Sequence, residues 1–117
     1  MSTKINLDII RGSRYLKSFI YQTSAKIPID LSSYQARMDI RARYASSTPE
    51  LQLTTENDML VLNTTTGQVD IILNALDTEA ISIDTGVFDL EIYNPSDTEI
   101  VDTILEGTVT IRDAITR

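Results

Sequence analysis

The sequence predicts an all-β fold, an antiparallel β-sandwich of about seven to nine short strands with at most one short helical turn. Apolar residues recur mainly at every second position, which is the period of a half-buried strand. Turn-forming residues interrupt this alternation roughly every 8–12 residues, a spacing typical of a sandwich or small barrel. No segment of helical length carries the 3.6-residue apolar period.

The first part of the chain contains two predicted strands. Ile5, Leu7 and Ile9 alternate with polar residues up to a predicted turn at residues 11–13. Residues 15–21 form the second strand, which is apolar on parts of both faces, so we expect it to lie centrally or beneath a partner.

The next segment contains a loop, an extended stretch and the clearest strand. We expect a loop at residues 25–26 and extended backbone at residues 27–31, since Pro28 disfavours the helical region. Residues 34–44 then alternate strictly, as a half-buried strand does. The residues predicted to face inward are Ala36, Met38, Ile40 and Ala42, and those predicted to face outward are Arg37, Asp39, Arg41 and Arg43.

The second half of the chain adds further short strands. They are predicted at residues 51–53, 59–62, 69–73, 87–93 and 99–112, separated by turn-forming residues. One helical turn is predicted at residues 77–81, with Asp77 as its cap. Gly107 lies within the last strand and predicts a bulge or a close backbone approach.

Length and composition predict a single domain. The 117 residues are 42% hydrophobic and contain no linker or internal repeat, so we assign residues 1–117 to one sandwich. Residues 1–10 are expected to form an extended N-terminal arm or an edge strand. No apolar run approaches the roughly 18 residues of a membrane span, and the first residues do not predict a signal peptide.

The charge is distributed unevenly along the chain. Residues 1–43 carry eight basic residues against three acids, a net +5, whereas residues 44–117 carry two basic residues against fourteen acids, a net −12. One interpretation is ordinary pairing between strands of one sandwich. The other is a molecule with a basic and an acidic face that meet head-to-tail between copies. The overall net charge of −7 argues against binding to nucleic acid.

The chemistry of an enzyme site is missing. The chain has no histidine and no cysteine, which excludes an imidazole base and any metal site with histidine or thiolate ligands. Its four glycines are too far apart for a phosphate-binding loop. Acid pairs such as Asp89 and Glu91 share a strand face, but 17 acids produce such pairs by chance. We therefore expect no enzyme, no cofactor and no metal.

Two sets of residues are candidates for a protein interface. Arg37, Arg41 and Arg43 would form a basic stripe, which either pairs with acids on a neighbouring strand or contacts another copy or another protein. Ile5, Leu7 and Ile9 belong to the N-terminal segment, a candidate for strand addition at a sheet edge. The aromatic residues of positions 15–34 are expected in the core.

Several segments resemble a known family. They are Arg11-Gly12-Ser13-Arg14-Tyr15, Phe19-Ile20-Tyr21, residues 27–34, Ala36-Arg37-Met38-Asp39-Ile40-Arg41, residues 86–93 and the closing Gly107, Val109 and Ile111. Together they resemble small bacteriophage virion proteins of the tail, baseplate and collar, which have an immunoglobulin-like sandwich of the upper-baseplate type. The resemblance covers about residues 9–112. Ser13 replaces an acid of the family pattern, and Ser33 replaces a glycine.

The resemblance implies a function but no catalytic residue, because the matching positions are mostly in the core and in turns. It implies a virion structural protein, assembled in the host cytoplasm, that acts as a multi-copy collar or fibre-attachment adaptor. The partners it implies are other virion proteins, such as tail tube, baseplate ring or fibre proteins, and further copies of the chain in a ring. Neither nucleic acid nor membrane is expected as a partner.

Two other functions remain open from the sequence. A capsid decoration or head-fibre base protein of the same fold would bind capsids rather than tails. A carbohydrate-binding module for host recognition would bind glycans and would expose tyrosines on one face.

Overall fold

The structure, a computed structural model, describes residues 3–21, 33–63 and 66–115. Within these ranges the chain forms eight strands and one short helix. The strands are β1 (Thr3–Arg11), β2 (Tyr15–Ile20), β3 (Gln35–Arg41), β4 (Leu51–Thr54), β5 (Leu60–Asn63), β6 (Gln68–Leu73), β7 (Thr85–Asn94) and β8 (Asp97–Asp113), and the helix is α1 (Ala75–Glu79).

The strands form two sheets that pack face to face. The larger has five strands in the order β1-β8-β7-β3-β4, and the smaller has three in the order β2-β6-β5. All pairs are antiparallel except β1 with β8, which is parallel. The described sheets therefore end in four edge strands, β1 and β4 in one sheet and β2 and β5 in the other. This architecture confirms the predicted all-β sandwich.

The core lies between the two sheets and follows the alternation of the sequence. In β3, Ala36, Met38 and Ile40 are buried as predicted. In β7, Phe88, Leu90 and Ile92 are buried and lie opposite these β3 residues in the ladder. The predicted core aromatics Tyr15, Phe19, Tyr21 and Tyr34 are partly buried and pack at the margin of this core.

The strand predicted at residues 34–44 is shorter in the structure. It ends at Arg41, and residues 42–45 turn away with a hydrogen bond from the Ser46 N–H to the Arg43 carbonyl. Ala42, predicted to face the core, is therefore exposed. The alternation of apolar and polar residues continues beyond Arg41, where the pairing of β3 with β7 ends. Periodicity alone therefore overestimates the length of this strand.

Of the two positions expected for the second predicted strand, the central one is wrong. β2 is an edge strand of the smaller sheet rather than a central strand, and it pairs only with β6. Its inward face carries Tyr15 and Phe19, which pack against the core. Its outward apolar residues, Leu16 and Ile20, are exposed in the described chain. The apolar residues on both faces of β2 therefore belong to an edge strand with one exposed face.

The helix begins earlier than predicted. α1 spans Ala75–Glu79, with Asn74 at its N-cap position, whereas the sequence placed a helical turn at residues 77–81 capped by Asp77. The Asp77 carboxylate does accept a backbone N–H, that of Asn74 at 2.9 Å. Asp77 thus stabilises the first turn from inside the helix, as acidic residues near a helix N-terminus do.

A turn between the sheets is held by Arg11 and Thr78. The Arg11 guanidinium donates to the carbonyl oxygens of Ile81 at 2.9 Å and Ile83 at 2.7 Å, and it also pairs with Asp84 and Asp113. These two carboxylates raise the pKa of Arg11 above its ordinary value. The buried Thr78 hydroxyl accepts from the Gly12 N–H and donates to the Ser13 carbonyl. The turn at residues 11–13 therefore has a structural role.

Gly107 is the point of closest approach between β1 and β8. Its φ of 151° is one that L side chains rarely adopt, and a Cβ there would lie 1.8 Å from the Ile5 carbonyl oxygen. The prediction of a close backbone approach is thus confirmed. The bulge in β8 lies elsewhere, since the ladder with β7 passes from Leu105 to Thr103 and skips Ile104.

Some sequence predictions lie outside the described residues. These are the loop at residues 25–26, the extended stretch at residues 27–31 around Pro28, and part of the turn at residues 63–67. In the part of the chain that is described, no helix has the length and apolarity needed to cross a bilayer.

We expect Gly107→Ala to destabilise the fold by about 2–4 kcal/mol, because it adds backbone strain and a clash with β1. Gly12→Ala is the matched control, since Gly12 also has a positive φ, 85°, but has open space around its Cα. The control should cost only about 1 kcal/mol. Urea unfolding measures the free energy of unfolding of both variants. Equal losses of stability would show that the clash with β1 adds nothing to the cost of the Gly107 substitution.

Candidate protein-interaction surfaces

The outward side of the larger sheet is a charged face, defined here by Arg37, Asp39 and Arg41 of β3 and by Asp89 and Glu91 of β7. These residues alternate with the buried ones of the same strands, so their side chains point to the same side of the sheet. In the ladder, Arg37 lies opposite Glu91, and Asp39 lies opposite Asp89. The face therefore brings residues from the basic and the acidic half of the chain together.

Arg37 is held in place within the charged face. Its Nε donates to Glu91 Oε1 at 2.7 Å, and its guanidinium carbon lies 4.6 Å from the centroid of the Tyr93 ring. The hydrogen bond with Glu91 raises the pKa of Arg37 above its ordinary value. The pairing with an acid on a neighbouring strand, one of the two interpretations drawn from the sequence, is what the structure shows for this residue.

Arg41 and Arg43 do not continue a basic stripe. Arg41 donates to Asp39 Oδ2 at 2.8 Å on its own strand and to the Ser46 carbonyl at 2.6 Å. Arg43 lies beyond the end of β3, in the exposed turn, and makes no ion pair with any residue in the described ranges. The predicted row of three adjacent outward arginines is therefore wrong, because the strand ends between the second and the third.

The two halves of the chain interleave. β3, from the basic half, pairs with β7, from the acidic half, and Arg11 binds Asp84 and Asp113 from the acidic half. Asp8 and Arg112 form a further pair across β1 and β8 at 3.6 Å. The charge asymmetry of the sequence is thus partly used for pairing inside one sandwich, through Arg11 and Arg37, and both halves of the chain contribute strands to each sheet.

Asp89 lies among like charges. It is opposite Asp39 on one side and Glu106 on the other, with Glu91 two residues along its own strand. Burial, followed by the charges of Glu91 and Asp39, raises the pKa of Asp89, while Arg41 acts in the opposite direction. The ionised carboxylate therefore costs the folded state free energy at neutral pH.

The N-terminal candidates are mostly unavailable as side chains. Leu7 and Ile9 are fully buried and belong to the core, so their side chains cannot contact a partner, whereas the predicted strand addition would use the backbone. Ile5 is half-buried and packs against the core margin. Residues 3–10 form part of an edge strand rather than a free arm, which leaves the backbone of β1, and not these side chains, as the accessible feature.

A surface that the sequence analysis did not identify lies on the smaller sheet. Its outward side is an apolar face, defined here by Leu16, Ile20, Val61 and Ile72. Leu16 is 60% exposed, Ile20 56% and Val61 41%, while Ile72 is half-buried opposite Leu16. Between them, Ser18 donates a hydrogen bond to Asp70 at 2.6 Å. The only sequence signal was the apolar character of residues 15–21 on both faces.

The described residues contain neither a metal-ligand cluster nor an unsatisfied buried polar side chain. They contain no group of three or more acidic side chains placed to hold a metal ion. No buried side-chain nitrogen or oxygen of the described residues lacks a hydrogen-bond partner. Among the tyrosines, Tyr44 is 78% exposed at the end of the charged face, and the other four are only partly exposed.

Comparison with known proteins identifies the fold. A solved structure described as Tim-1 matches 100% of this chain with 99% of its own length, at a TM-score of 0.50 and 10% identity. A second structure matches 95% of this chain with 92% of its own length, at a TM-score of 0.48 and 13% identity. Its title is "Structure-based site-directed photo-crosslinking analyses of multimeric cell-adhesive interactions of VGSC beta subunits". No family model and no curated protein matches. The chain therefore has an immunoglobulin-like β-sandwich fold.

We expect Asp89→Asn to stabilise the protein at pH 7 and to lose this advantage as the pH falls. A raised pKa means that ionised Asp89 destabilises the folded state, and the cost disappears once the pH is below the ordinary aspartate pKa of 3.8. Urea midpoints at pH 7 and pH 3 test this, with the exposed Asp102→Asn on β8 as the control. An equal gain at both pH values would contradict the explanation.

Proposed function

We propose that this immunoglobulin-like sandwich is a non-enzymatic structural protein of a bacteriophage virion, a multi-copy collar or fibre-attachment adaptor of the tail or baseplate. It works by binding other proteins through its outer surfaces. Its partners are tail tube, baseplate ring or fibre proteins and further copies of the chain in a ring. Assembly takes place in the host cytoplasm, and neither nucleic acid nor membrane takes part.

The observation that carries a binding function is the apolar face. Leu16, Ile20 and Val61 are large aliphatic side chains, and each is more than two-fifths exposed on the same side of one small sheet. Burying apolar surface gains about 25 cal/mol per Å², so these exposed aliphatic side chains, set around the Ser18–Asp70 hydrogen bond, gain free energy when a partner covers them. A sheet face of this composition favours binding of a partner that covers it.

The two outer faces suit an adaptor. The apolar face and the charged face belong to different sheets, so they point away from each other across the core. A rigid sandwich can therefore contact one partner through buried apolar area and another through its charged side. On the charged face, Arg37 and Arg41 are already neutralised by acids, so a partner there would be recognised mainly by shape and hydrogen bonds.

The virion assignment is supported by the sequence resemblance of about residues 9–112 to small tail and baseplate proteins. The match is densest over residues 28–41, which include β3. Because these positions are mainly core and turn residues, the resemblance supports the fold family and its context rather than one defined contact. The likeness to solved structures supports the fold alone.

The other two functions receive less support. A capsid decoration protein of the same fold would use the same kind of apolar face, and only its location in a particle distinguishes it. A carbohydrate-binding module would present several exposed aromatic rings, whereas Tyr44 is the one highly exposed tyrosine, and all five tyrosines lie within the described residues.

The direct test is the protein's presence in virus particles. Particles produced from the genome that encodes the chain are purified on a density gradient and analysed by mass spectrometry and by gold labelling with an antibody. We expect the protein in the particles and the label on the tail. Label on the head would support the capsid alternative, and absence from purified particles would overturn a virion function.

Leu16→Glu is expected to reduce incorporation into particles by tenfold or more, because it replaces the most exposed aliphatic residue of the apolar face with a charge. Leu76→Glu is the matched control, since Leu76 is 78% exposed on α1, outside that face. Both variants should keep their stability within about 1 kcal/mol. Particles are compared by immunoblot against the tail proteins. Equal incorporation of the two variants would show that the apolar face is not the binding surface.

A further inference from the structure

We propose that two copies of the chain associate through β1, antiparallel and with Asn6 at the two-fold axis. The five strands of each copy would then continue into one sheet across the pair. This pairing concerns the chain's contact with itself, and it is inferred from β1 alone, independently of the partner bound by the apolar face.

β1 differs from the other three edge strands. β4 and β5 have four residues each, too few to hold a partner strand firmly. β2 has six, but its Lys17 lies on the inward side, opposite the buried Ile71, and an inward charge at an edge opposes strand addition. β1 has nine residues without proline, glycine or bulge, and between its terminal residues Thr3 and Arg11 the inward residues Ile5, Leu7 and Ile9 are all apolar.

Within the described residues, the backbone groups on the outer edge of β1 have no strand partner. The Ile5 carbonyl oxygen points towards β8, since it lies against the Cα of Gly107. Successive residues of a strand direct their backbone groups to opposite edges, so Lys4, Asn6 and Asp8 direct theirs away from β8. These residues can exchange N–H and carbonyl bonds with an added strand.

The side chains of β1 are complementary to themselves in one antiparallel register. With Asn6 opposite Asn6 of the second copy, Lys4 lies opposite Asp8 in both directions, so two opposite-charge pairs form on the outward side. On the inward side, Ile5 lies opposite Leu7, so both residues nearest the axis are apolar and no charge faces the core there. This register also places the free backbone groups opposite one another.

Other registers lose this complementarity. A one-residue shift would oppose outward to inward residues and break the apolar continuity. Centring the axis on Lys4 would bring two lysines together, and centring it on Asp8 would bring two aspartates together. Arg112 lies 3.6 Å from Asp8 in the same copy, and its charge adds to that of Lys4 near this carboxylate in the paired arrangement.

The test uses charge reversal and measures mass by light scattering and native mass spectrometry across a concentration series. The wild type is expected to dimerise. Lys4→Glu and Asp8→Lys should each weaken self-association by about tenfold or more, because each sets two like charges opposite each other. A mixture of the two variants should form a heterodimer in which both pairs are again opposite in sign. Lys17→Glu, with the same charge change on β2, should dimerise as the wild type does.

Two results would overturn the proposal. One is a wild type that stays monomeric at every concentration, and the other is a dimer that both charge reversals leave unchanged. Urea unfolding of each variant confirms that the fold is kept, since Lys4 also lies beside Glu106 in the ladder with β8. A protein that is monomeric in solution would contradict β1 pairing but not the virion function. Absence of the protein from particles would contradict the virion function but not β1 pairing, so the two failures are distinguishable.

Discussion

The close contact between β1 and β8 is the constraint on which the larger sheet depends. Nine residue pairs join the two strands in parallel, and the backbone of β1 passes Gly107 where any side chain would collide with the Ile5 carbonyl. Arg11 fixes the far end of β1 by binding Ile81, Ile83, Asp84 and Asp113. The absent side chain of Gly107 and the engaged guanidinium of Arg11 thus place Leu7 and Ile9 in the core, while no other described residue pairs with the opposite edge of β1.

The two sheets use polarity in different ways. On the larger sheet, Arg37 and Arg41 are neutralised by acids of the same chain, which stabilises the face only modestly because it is partly exposed. On the smaller sheet, aliphatic residues remain uncovered at positions where a polar residue would satisfy the fold equally well. A protein that keeps apolar residues in such positions gains from them only when another surface covers them.

Most of the fold could be predicted from the sequence because the alternation in β3, β6 and β7 is regular and one face of each strand is buried. The errors have local physical causes. The position of β2 depends on which strand pairs with it, information that periodicity does not contain. The length of β3 depends on where β7 stops pairing, and the start of α1 depends on Asn74. The candidate surfaces were harder to predict. The ion pair of Arg37 depends on Glu91 of a neighbouring strand, and Leu16 and Val61 share a sheet face only because β2 and β5 both pair with β6.

The parallel pairing of β1 with β8 also determines how the sandwich would carry mechanical load. Thr3 pairs near Leu105 and Arg11 near Asp113, so the first described strand starts at one pole and the last ends at the other, about 30 Å away along the strands. A pull on the two ends acts along both strands in opposite senses. It loads their hydrogen bonds in shear, all at once, instead of opening them one by one. A block tethered at both ends in this way resists extension best along its long strands.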